Sequence, residues 1–550
     1  MRIQGRWGVL APLVLLLTAC TSTPKAPPPS TDIDETAFRE HIRVLASDEF
    51  QGRRPGTPGE ERTIAYVVEQ FRKLGLKPGN GESFLQQVPM LETTAGADAS
   101  LSVAGHNGGA PMQLPYGKSM VIWSKRGLPL AELRQSEMVF VGYGIVAPEY
   151  AWNDYADTDV HGKTVLVLVN DPGYANKDPK VFKGGAMTYY GRWSYKIEEA
   201  ARQGAAGVLL VHDADALGYD WEVVRNNWTG PQLDLAGGAG VPPAIEGWVQ
   251  KDAARALFGA AGLDFSALSA AAAHPGFKAT AMGLRVDATL HDSVRQLNSP
   301  NVIAIWPGAK RRREYVLYTA HWDHLGLDPG RSGHNIFNGA LDNASGVAGL
   351  ITVAQSFVRT KPVGDRTIAF LALTGGDFGL LGSRYYVENA VLPLRDTAAV
   401  LNLDTLHGGG PTRDVTIFGS GNTDLEEYAR AAALLQGREV TPEPLLGQGL
   451  YFRSDNFTFA KAGVPALYAK GGLDDAARGP AWGRKQLDDY MSQRYHRPSD
   501  QYSPGWDVRG AAEDLGLYYD VGNRLAHTRR FPRWYPNSEY RVSRDRAAEP

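Results

Sequence analysis

The sequence predicts an α/β protein: an α/β/α sandwich around a mixed, mainly parallel sheet, with a mostly-β domain inserted into it. From residue 301 onward, apolar runs of strand length alternate with stretches of helical periodicity, which is the pattern of a sheet covered by helices. Two of these runs, 315–320 and 367–373, are almost continuously apolar, as expected for strands buried on both faces. Between residues 111 and 286, short β-rich runs separated by Gly and Pro turns replace that alternation.

The other elements of the sandwich follow from their apolar spacing. An apolar residue at every third or fourth position marks each helix, and the second helix closes at Gly75 with Pro78 beyond it. The apolar run before Asp404 marks a strand. These patterns predict helices at 35–45, 60–74, 347–358 and 425–435, and a strand at 398–403.

The inserted stretch is predicted to contain one helix at 195–204 and strands at 139–141, 164–169 and 207–211. Its segment 142–147, Gly-Tyr-Gly-Ile-Val-Ala, imitates the start of a dinucleotide-binding fingerprint. Pro148 follows at once and no helix begins there, so the helix N-terminus that would hold a pyrophosphate is missing from the pattern. The sequence therefore disfavours nucleotide binding.

The first 32 residues have the pattern of an export signal followed by a tether. After two arginines, the apolar stretch 7–17 is too short to span ~30 Å of hydrocarbon, and small residues then lead to Cys20. This pattern over residues 1–20 resembles a bacterial lipoprotein signal, in which Cys20 becomes lipid-modified; a plain secretory signal is the alternative. Residues 21–32, rich in Pro, Ser and Thr, predict a flexible tether. We expect a lipid-anchored protein of the cell envelope that faces the periplasm, and Thr21 after the cysteine favours the outer membrane.

Composition excludes several classes of protein. With 550 residues, 43% hydrophobic and 21% charged, the chain can bury large cores and is not disordered. A net charge of −3 provides no basic field for nucleic acid. Cys20 is the only cysteine, and if it is lipid-modified, no thiol remains for a disulfide or for a cysteine nucleophile. Neither a Gly-x-Ser-x-Gly elbow nor a His-Glu-x-x-His motif occurs, which disfavours two common hydrolase classes. The oligomeric state is left open.

Five side chains of types that bind metal ions are spread along the second half of the chain. Those before residue 405 mostly lie at or just past the C-terminal end of a predicted strand, where open α/β sheets form their sites; the second of the five instead opens a helix. We therefore expect them to gather at one edge of the sheet. These five metal residues are His321, Asp342, Asp377, Asp404 and His496.

The residue types suit a metal site. His321 and Asp323 are two apart on extended backbone, so they point the same way and the carboxylate can orient the ring. The two oxygens of Asp342 can bridge two cations ~3.5–4 Å apart, although taken alone this residue would be an ordinary helix cap. Asp404 ends an apolar strand, where an unpaired carboxylate is costly but a metal-bound one is not. His496 lies in a polar loop, and taken alone it would be a surface histidine.

The joint pattern of motifs identifies a family. In order, the chain carries Asn-Val-Ile-Ala at 301–304, Ala-His-Trp-Asp-His-Leu-Gly at 320–326, Asn338 to Gly346, Gly379 to Ser383, Ser-Asp-Asn at 454–456 and Tyr495 to Asp500. With these motifs it resembles the dinuclear-zinc aminopeptidase family of metallopeptidases, relatives of bacterial leucyl aminopeptidase and glutamate carboxypeptidase, in the subgroup with an inserted protease-associated domain. The resemblance implies a peptidase domain in two parts, 33–110 and 287–550, around a protease-associated domain at 111–286 that borders the cleft.

The resemblance also implies a role for each metal residue. His321 and Asp404 would hold one Zn²⁺, His496 and Asp377 the other, and Asp342 would bridge the two. The family activity is removal of the N-terminal residue of a peptide by a metal-bound hydroxide. Peptides are thus the expected substrates.

One departure from the family pattern bears on activity. The family has two successive glutamates at 376 and 377, of which the first takes a proton from the metal-bound water and the second binds metal. Here they are Gly376 and Asp377. Because general acid–base assistance is worth roughly 10²–10⁴-fold, the sequence predicts a large loss of turnover. The shorter carboxylate at 377 predicts a weaker second zinc site.

Three functions are therefore compatible with the sequence. The first is a zinc aminopeptidase, slow for want of the base. The second is a peptide-binding protein that has lost catalysis. The third is an acyltransferase like glutaminyl cyclases, which use one zinc; the retained set of two histidines and three aspartates argues against it. The pocket for the N-terminal residue is predicted to be lined by Tyr451, Phe452 and Tyr468.

Overall fold

The structure is a computed structural model that describes residues 33–105, 110–238, 240–360, 363–541 and 543–544. The predicted signal (1–20, with Cys20) and tether (21–32) lie outside the described residues. Within the described part of the chain, no helix combines the length and apolar character needed to cross a membrane.

The secondary structure agrees with the predicted alternation. The helices are α1 (Glu35–Leu45), α2 (Pro58–Lys73), α3 (Pro172–Asn176), α4 (Trp193–Arg202), α5 (Ala214–Leu217), α6 (Trp221–Trp228), α7 (Lys251–Ala260), α8 (Phe265–Ala272), α9 (Ser345–Arg359), α10 (Leu381–Glu388), α11 (Leu425–Leu435), α12 (Asn456–Lys461), α13 (Pro480–Gln493) and α14 (Arg509–His527). The strands are β1 (Lys77–Pro78), β2 (Leu85–Ala95), β3 (Ser100–Gly105), β4 (Met112–Gln113), β5 (Met120–Trp123), β6 (Leu130–Phe140), β7 (Val146–Ala147), β8 (Trp152–Asn153), β9 (Thr164–Leu168), β10 (Gly207–His212), β11 (Gln232–Leu235), β12 (Ile245–Gln250), β13 (Thr280–Trp306), β14 (Arg311–His321), β15 (Gly326–Leu327), β16 (Ile336–Phe337), β17 (Arg366–Leu373), β18 (Thr397–Asn402), β19 (Asp414–Ile417), β20 (Glu439–Thr441) and β21 (Ala466–Gly471).

The sandwich is built on one mixed sheet with the strand order β2, β13, β17, β14, β18, β21, β19, β20. Its centre, from β17 to β21, is parallel, and antiparallel pairings flank it on both sides. Every residue of β17 and β18 is buried, because helices cover both faces of the sheet. This architecture is the predicted α/β/α sandwich.

Successive residues of the central strands face opposite layers. Tyr318 of β14 points into the core formed with α1, α9 and α14, where its ring stacks on Phe370 with 5.5 Å between centroids. Leu317, its neighbour, faces the core that α10 and α12 complete. The period of two along a strand thus supplies both layers of the sandwich.

The insert has a sheet and cores of its own. Its strands follow the order β4, β3, β13, β6, β9, β10, β12, β5, and the buried side chains of both its cores come from residues 101–290. β3, which the prediction placed before the insert, pairs with β13, and its Leu101 and Val103 lie in the insert's core. The described insert therefore begins earlier than residue 111. Its identification as a protease-associated domain stays a prediction.

The insert contains more helix than the mostly-β prediction expected. α4 forms where a helix was predicted, but the Ala-rich stretch 251–273 also forms α7 and α8. Asp264 accepts the backbone N–H of Ala267 and so caps α8, and Phe258 and Phe265 pack edge to face at 5.1 Å between centroids. Local capping and an apolar face thus stabilise two helices that were not predicted, because the sequence around them is rich in β-forming residues.

A single long strand connects the two sheets. β13 pairs with β3 and β6 in the insert and with β2 and β17 in the sandwich. β2, which leads the chain into the insert, is antiparallel to it from Leu85, opposite Val302, to Ala95, opposite Asp292. The chain therefore enters and leaves the insert through the β2/β13 ribbon, and β11, which also lies between residues 111 and 286, pairs with the other edge of β2 from Met90 to Thr93.

Candidate metal centre

The topology of the sheet brings the five metal residues together. His321 is the last residue of β14, Asp377 follows β17, and Asp404 follows β18. Because β17 and β18 are the parallel neighbours of β14, these three side chains meet at one edge of the sheet. Asp342 lies in the turn before α9 and His496 in the loop after α13, and both reach the same edge.

The distances place Asp342 between the two histidines. Its Oδ1 lies 3.3 Å from Nε2 of His321, and its Oδ2 lies 3.2 Å from Nε2 of His496. Oδ1 of Asp404 lies 3.7 Å from the first ring, and Oδ1 of Asp377 lies 3.4 Å from the second. The residues therefore form two groups, each with one imidazole and one carboxylate of its own, which share Asp342.

This donor set fits two zinc ions. Two ligands bound tetrahedrally to one zinc at about 2.0–2.2 Å lie roughly 3.3–3.6 Å apart. The separations between the histidine nitrogens and their carboxylates are close to this, at 3.2–3.7 Å. All five side chains are buried or nearly so, and three carboxylates against two imidazoles leave the cluster in need of cations. The arrangement of His321, Asp342 and Asp377 also brings one donor atom of each within 4.8 Å of the others.

Electrostatics tie the cluster together. Burial lowers the pKa of His321, but the carboxylates of Asp323, Asp342 and Asp404 outweigh it, so the pKa lies well above its ordinary value. Burial also lowers the pKa of His496, but Tyr495 and the carboxylates of Asp342 and Asp377 outweigh it. The pKa of His496 therefore also lies well above its ordinary value. The carboxylates thus strongly favour positive charge between them, at the two histidines.

Asp323 acts more on the backbone than on the histidine ring. Its Oδ1 accepts the N–H of Gly376 at 2.8 Å and its Oδ2 accepts that of Asp377 at 3.3 Å. The same Oδ1 lies 3.6 Å from Nδ1 of His321, which is closer, at 3.3 Å, to the main-chain oxygen of Asp323. The predicted partner of the ring therefore mainly fixes the loop that carries Asp377.

The space beside Gly376 is occupied by the side chain of His321. A Cβ added to Gly376 would lie 2.5 Å from Cγ of His321 and 2.6 Å from its Cβ. The space that the first atom of a side chain at position 376 would need is therefore taken by His321, one of the metal residues. Both carboxylate oxygens of Asp377 already have partners. Its Oδ2 accepts a hydrogen bond from Nδ1 of His324 at 2.6 Å, and its Oδ1 faces His496.

Three residues that support the site were not predicted from the sequence. Arg53, wholly buried, donates to the carbonyl oxygens of Trp322, Asn338 and Gly339 in the loops that carry His321 and Asp342. Burial lowers its pKa to about 10. The other two are His324, visible in the 320–326 motif but given no role there, and Asp500, whose carboxylate accepts the N–H of Asp342 at 3.1 Å.

The three predicted pocket residues all belong to the core layer that α10 and α12 complete. Within it, Tyr451 and Phe452 pack with Phe457 in a buried aromatic cluster. Tyr468 is stacked on Phe418 at 4.4 Å and lies near the metal centre, where burial and the charge of Asp404 raise its pKa well above the ordinary value. Tyr468 thus interacts electrostatically with a metal residue, and the assignment of the pocket stays a prediction.

Comparison with known proteins agrees with the geometry. Residues 301–519, which include all five metal residues, match the model of peptidase family M28. A "Probable zinc metalloprotease" of Pyrenophora tritici-repentis is 26% identical over 215 residues, 38% of this chain and 48% of that protein. A "Glutamate carboxypeptidase 2 homolog" of Caenorhabditis elegans is 30% identical over 213 residues, 37% of this chain and 25% of that protein. The matches thus span less than half of these relatives.

The alignment with a solved aminopeptidase structure extends over nearly the whole chain. The aminopeptidase from Aneurinibacillus sp. strain AM-1 aligns over 91% of this chain and 96% of its own, with a TM-score of 0.52 and 18% identity. At that identity the likeness concerns the fold. It confirms the predicted fold class, and the family match confirms the resemblance over residues 301–519.

Proposed function

Because residues 301–519 match peptidase family M28, we propose that this protein is a zinc metallopeptidase, and specifically an aminopeptidase that removes N-terminal residues from peptides. One observation carries the proposal: Asp342 presents one oxygen to His321 and the other to His496, at separations typical of donors that share a metal ion. The names of the fungal relative and of the structurally similar aminopeptidase support the same reading.

In this proposal the chain's own residues hold the ions and fix their surroundings. His321 and Asp404 would hold one zinc, His496 and Asp377 the other, and Asp342 both. Bound there, zinc would lower the pKa of a water molecule toward ~7 and polarise a peptide carbonyl. The backbone N–H groups of 376 and 377 bind Asp323 and so are not free to bind substrate.

The site has no side chain at the usual position of the general base that would accept a proton. Gly376 offers no side-chain atom to accept a proton, and Oδ2 of Asp377 is already the acceptor of a hydrogen bond from His324. The chain therefore lacks the base at its usual position, and its neighbouring carboxylate is held in the orientation of a ligand. We accordingly propose a slow enzyme, whose turnover lies roughly 10²–10⁴-fold below that of a relative with the base.

A second candidate function is supported by the same feature. A protein that keeps the metal centre and lacks the base can bind a peptide without cleaving it. The observation that favours this candidate is the packing of His321 against Gly376, which leaves no room at that point for another group.

The experiment that tests the proposal is metal-dependent turnover. The full chain, purified in detergent, is stripped with a chelator and titrated with Zn²⁺, and release of the first residue is followed on a panel of peptides with different N-termini. We expect no turnover without metal and slow turnover that saturates near two zinc ions per chain. Two bound zinc ions, peptide binding and no cleavage would establish the second candidate. Failure to bind zinc would overturn both.

We also propose that the chain is lipid-anchored at Cys20 in the cell envelope, on the support of the sequence pattern of residues 1–20. In a bacterial expression host, the wild-type protein should fractionate with membranes and the Cys20→Ala variant with the soluble fraction. Equal partition of the two would overturn this proposal.

A further inference from the structure

One helix of the insert ends against a metal residue. Oδ1 of Asn227, near the end of α6, lies 2.8 Å from Nδ1 of His496. Nδ2 of Asn226, next to it, donates to the main-chain oxygen of His496 at 2.8 Å. Both asparagines lie outside residues 301–519, the part of the chain that matches the peptidase family.

The contact fixes which nitrogen of His496 can bind metal. The amide oxygen of Asn227 can only accept a hydrogen bond, so Nδ1 of His496 carries a hydrogen and donates it. Nε2, which faces the carboxylates of Asp342 and Asp377, is therefore the nitrogen that is left for a metal ion. A hydrogen bond of this kind holds both the tautomer and the rotation of a ligating imidazole. The corresponding neighbours of His321 come from the sandwich itself, at Asp323.

The backbone of His496 also depends on its neighbours. Its φ of 52° lies in the left-handed region, which a histidine adopts only where the surroundings hold it there. Arg497, the next residue, forms ion pairs with Asp220 and Glu222 at the beginning of α6. Glu222 also pairs with Arg331 at 3.0 Å. Residues at the beginning and at the end of α6 thus contact His496 and Arg497.

We propose that Asn227 is a positioning residue for His496, and that the insert, through α6, completes the second zinc site. The inference rests on the proposed zinc function and adds to it that the peptidase domain does not hold its second metal alone. The family-matched segment carries the ligands, but the orientation of one of them comes from the insert.

The test measures zinc affinity rather than activity. Metal-free full-length protein competes for Zn²⁺ with a chromophoric chelator, so that two binding constants are obtained. For Asn227→Ala we expect one of them to weaken by roughly 10–100-fold and the other to stay unchanged. Arg225→Ala, an exposed position on the same helix, is the matched control and should keep both.

A third variant separates positioning from folding. Nδ2 of Asn227 also donates to the carbonyl of Val223 at 2.7 Å, so its loss alone could loosen α6. Asn227→Asp keeps an acceptor for His496 and loses that donor. We expect it to lower the unfolding midpoint but to keep zinc affinity near that of wild type. If Asn227→Ala bound both ions as tightly as wild type, or if Asp and Ala weakened binding equally, the inference would be wrong. A wild-type chain that binds no zinc would instead overturn the proposed function.

Discussion

His321 occupies the space next to Gly376: a Cβ at position 376 would lie 2.5 Å from Cγ of the ring. Contacts of that length do not occur, and the ring cannot swing away without leaving the metal residues it faces at 3.3 and 3.7 Å. The loss of the glutamate and the position of this ligand are therefore coupled.

Restoring the glutamate should accordingly have two opposing effects. Gly376→Ala introduces the Cβ without a carboxylate, displaces His321, and should weaken zinc binding. Gly376→Glu introduces both, and at saturating zinc its turnover should exceed that of the alanine variant by roughly 10²–10⁴-fold. Steady-state kinetics with a peptide substrate give the ratio. Equal turnover of the two variants would mean that another group already supplies the base.

Removal of His324 should loosen the second metal site. Its Nδ1 donates to Oδ2 of Asp377 at 2.6 Å, the ring is wholly buried, and Nε2 has no hydrogen-bond partner among the described residues. His324→Leu removes the donor and should weaken one zinc constant by roughly 10–100-fold. His324→Asn, which can place a nitrogen near the position of Nδ1, should lose less. The measurement is competitive zinc titration, and identical affinities for wild type and the leucine variant would contradict the assigned role.

Arg53→Met should destabilise the fold markedly. The guanidinium is fully buried and bonds four main-chain oxygens, those of Leu45, Trp322, Asn338 and Gly339. Each buried carbonyl left without a partner costs about 1–3 kcal/mol, so the free energy of unfolding should fall by at least about 3 kcal/mol. Urea unfolding measures this, with the exposed Arg62→Met on α2 as the control. A loss below about 1 kcal/mol would show that water replaces the guanidinium.

Glu443 should make stability depend on pH. Burial raises its pKa from 4.5 to about 6, against the hydrogen bond from the N–H of Gly419. Because the folded state binds this proton more tightly than the unfolded chain, its contribution is largest below pH 4.5 and is lost as the pH rises to about 6. The difference in unfolding free energy between wild type and Glu443→Gln should therefore change by about 2 kcal/mol across this window and stay flat above it. A constant difference would refute the shift.

Much of the sandwich was predictable because its signals are local. Helices α1 and α11 have the predicted bounds, since an apolar stripe and polar flanks define them without reference to the rest of the chain. β13 was not predictable in the same way. Its residues 293–296 are all exposed, which breaks the alternation between the two halves that pack in different cores. The extent of the strand depends on pairing with β2, some 200 residues earlier.

For the site, too, the residues with local sequence signals were predictable, and those that depend on distant contacts were not. The five metal residues could be found because their motifs are short and ordered along the chain. Arg53, Asn227 and the contact between His321 and Gly376 could not, because each acts on a partner brought close only by the fold. In the sequence, a glycine where the family has glutamate is only the loss of a side chain, whereas in the structure His321 packs closely against that glycine.

The β2/β13 ribbon limits how the insert can move and how it can be removed. The chain leaves the sandwich and returns to it on paired neighbours, with Ala95 opposite Asp292. Opening therefore twists or bends a hydrogen-bonded hairpin stem instead of swinging on loose linkers. A tight turn in place of residues 96–291 would keep the register of β2 with β13, but it would also remove β11, which pairs with β2 from Met90 to Thr93. Such a shortened chain would retain every metal residue and lack the asparagine that orients one of them.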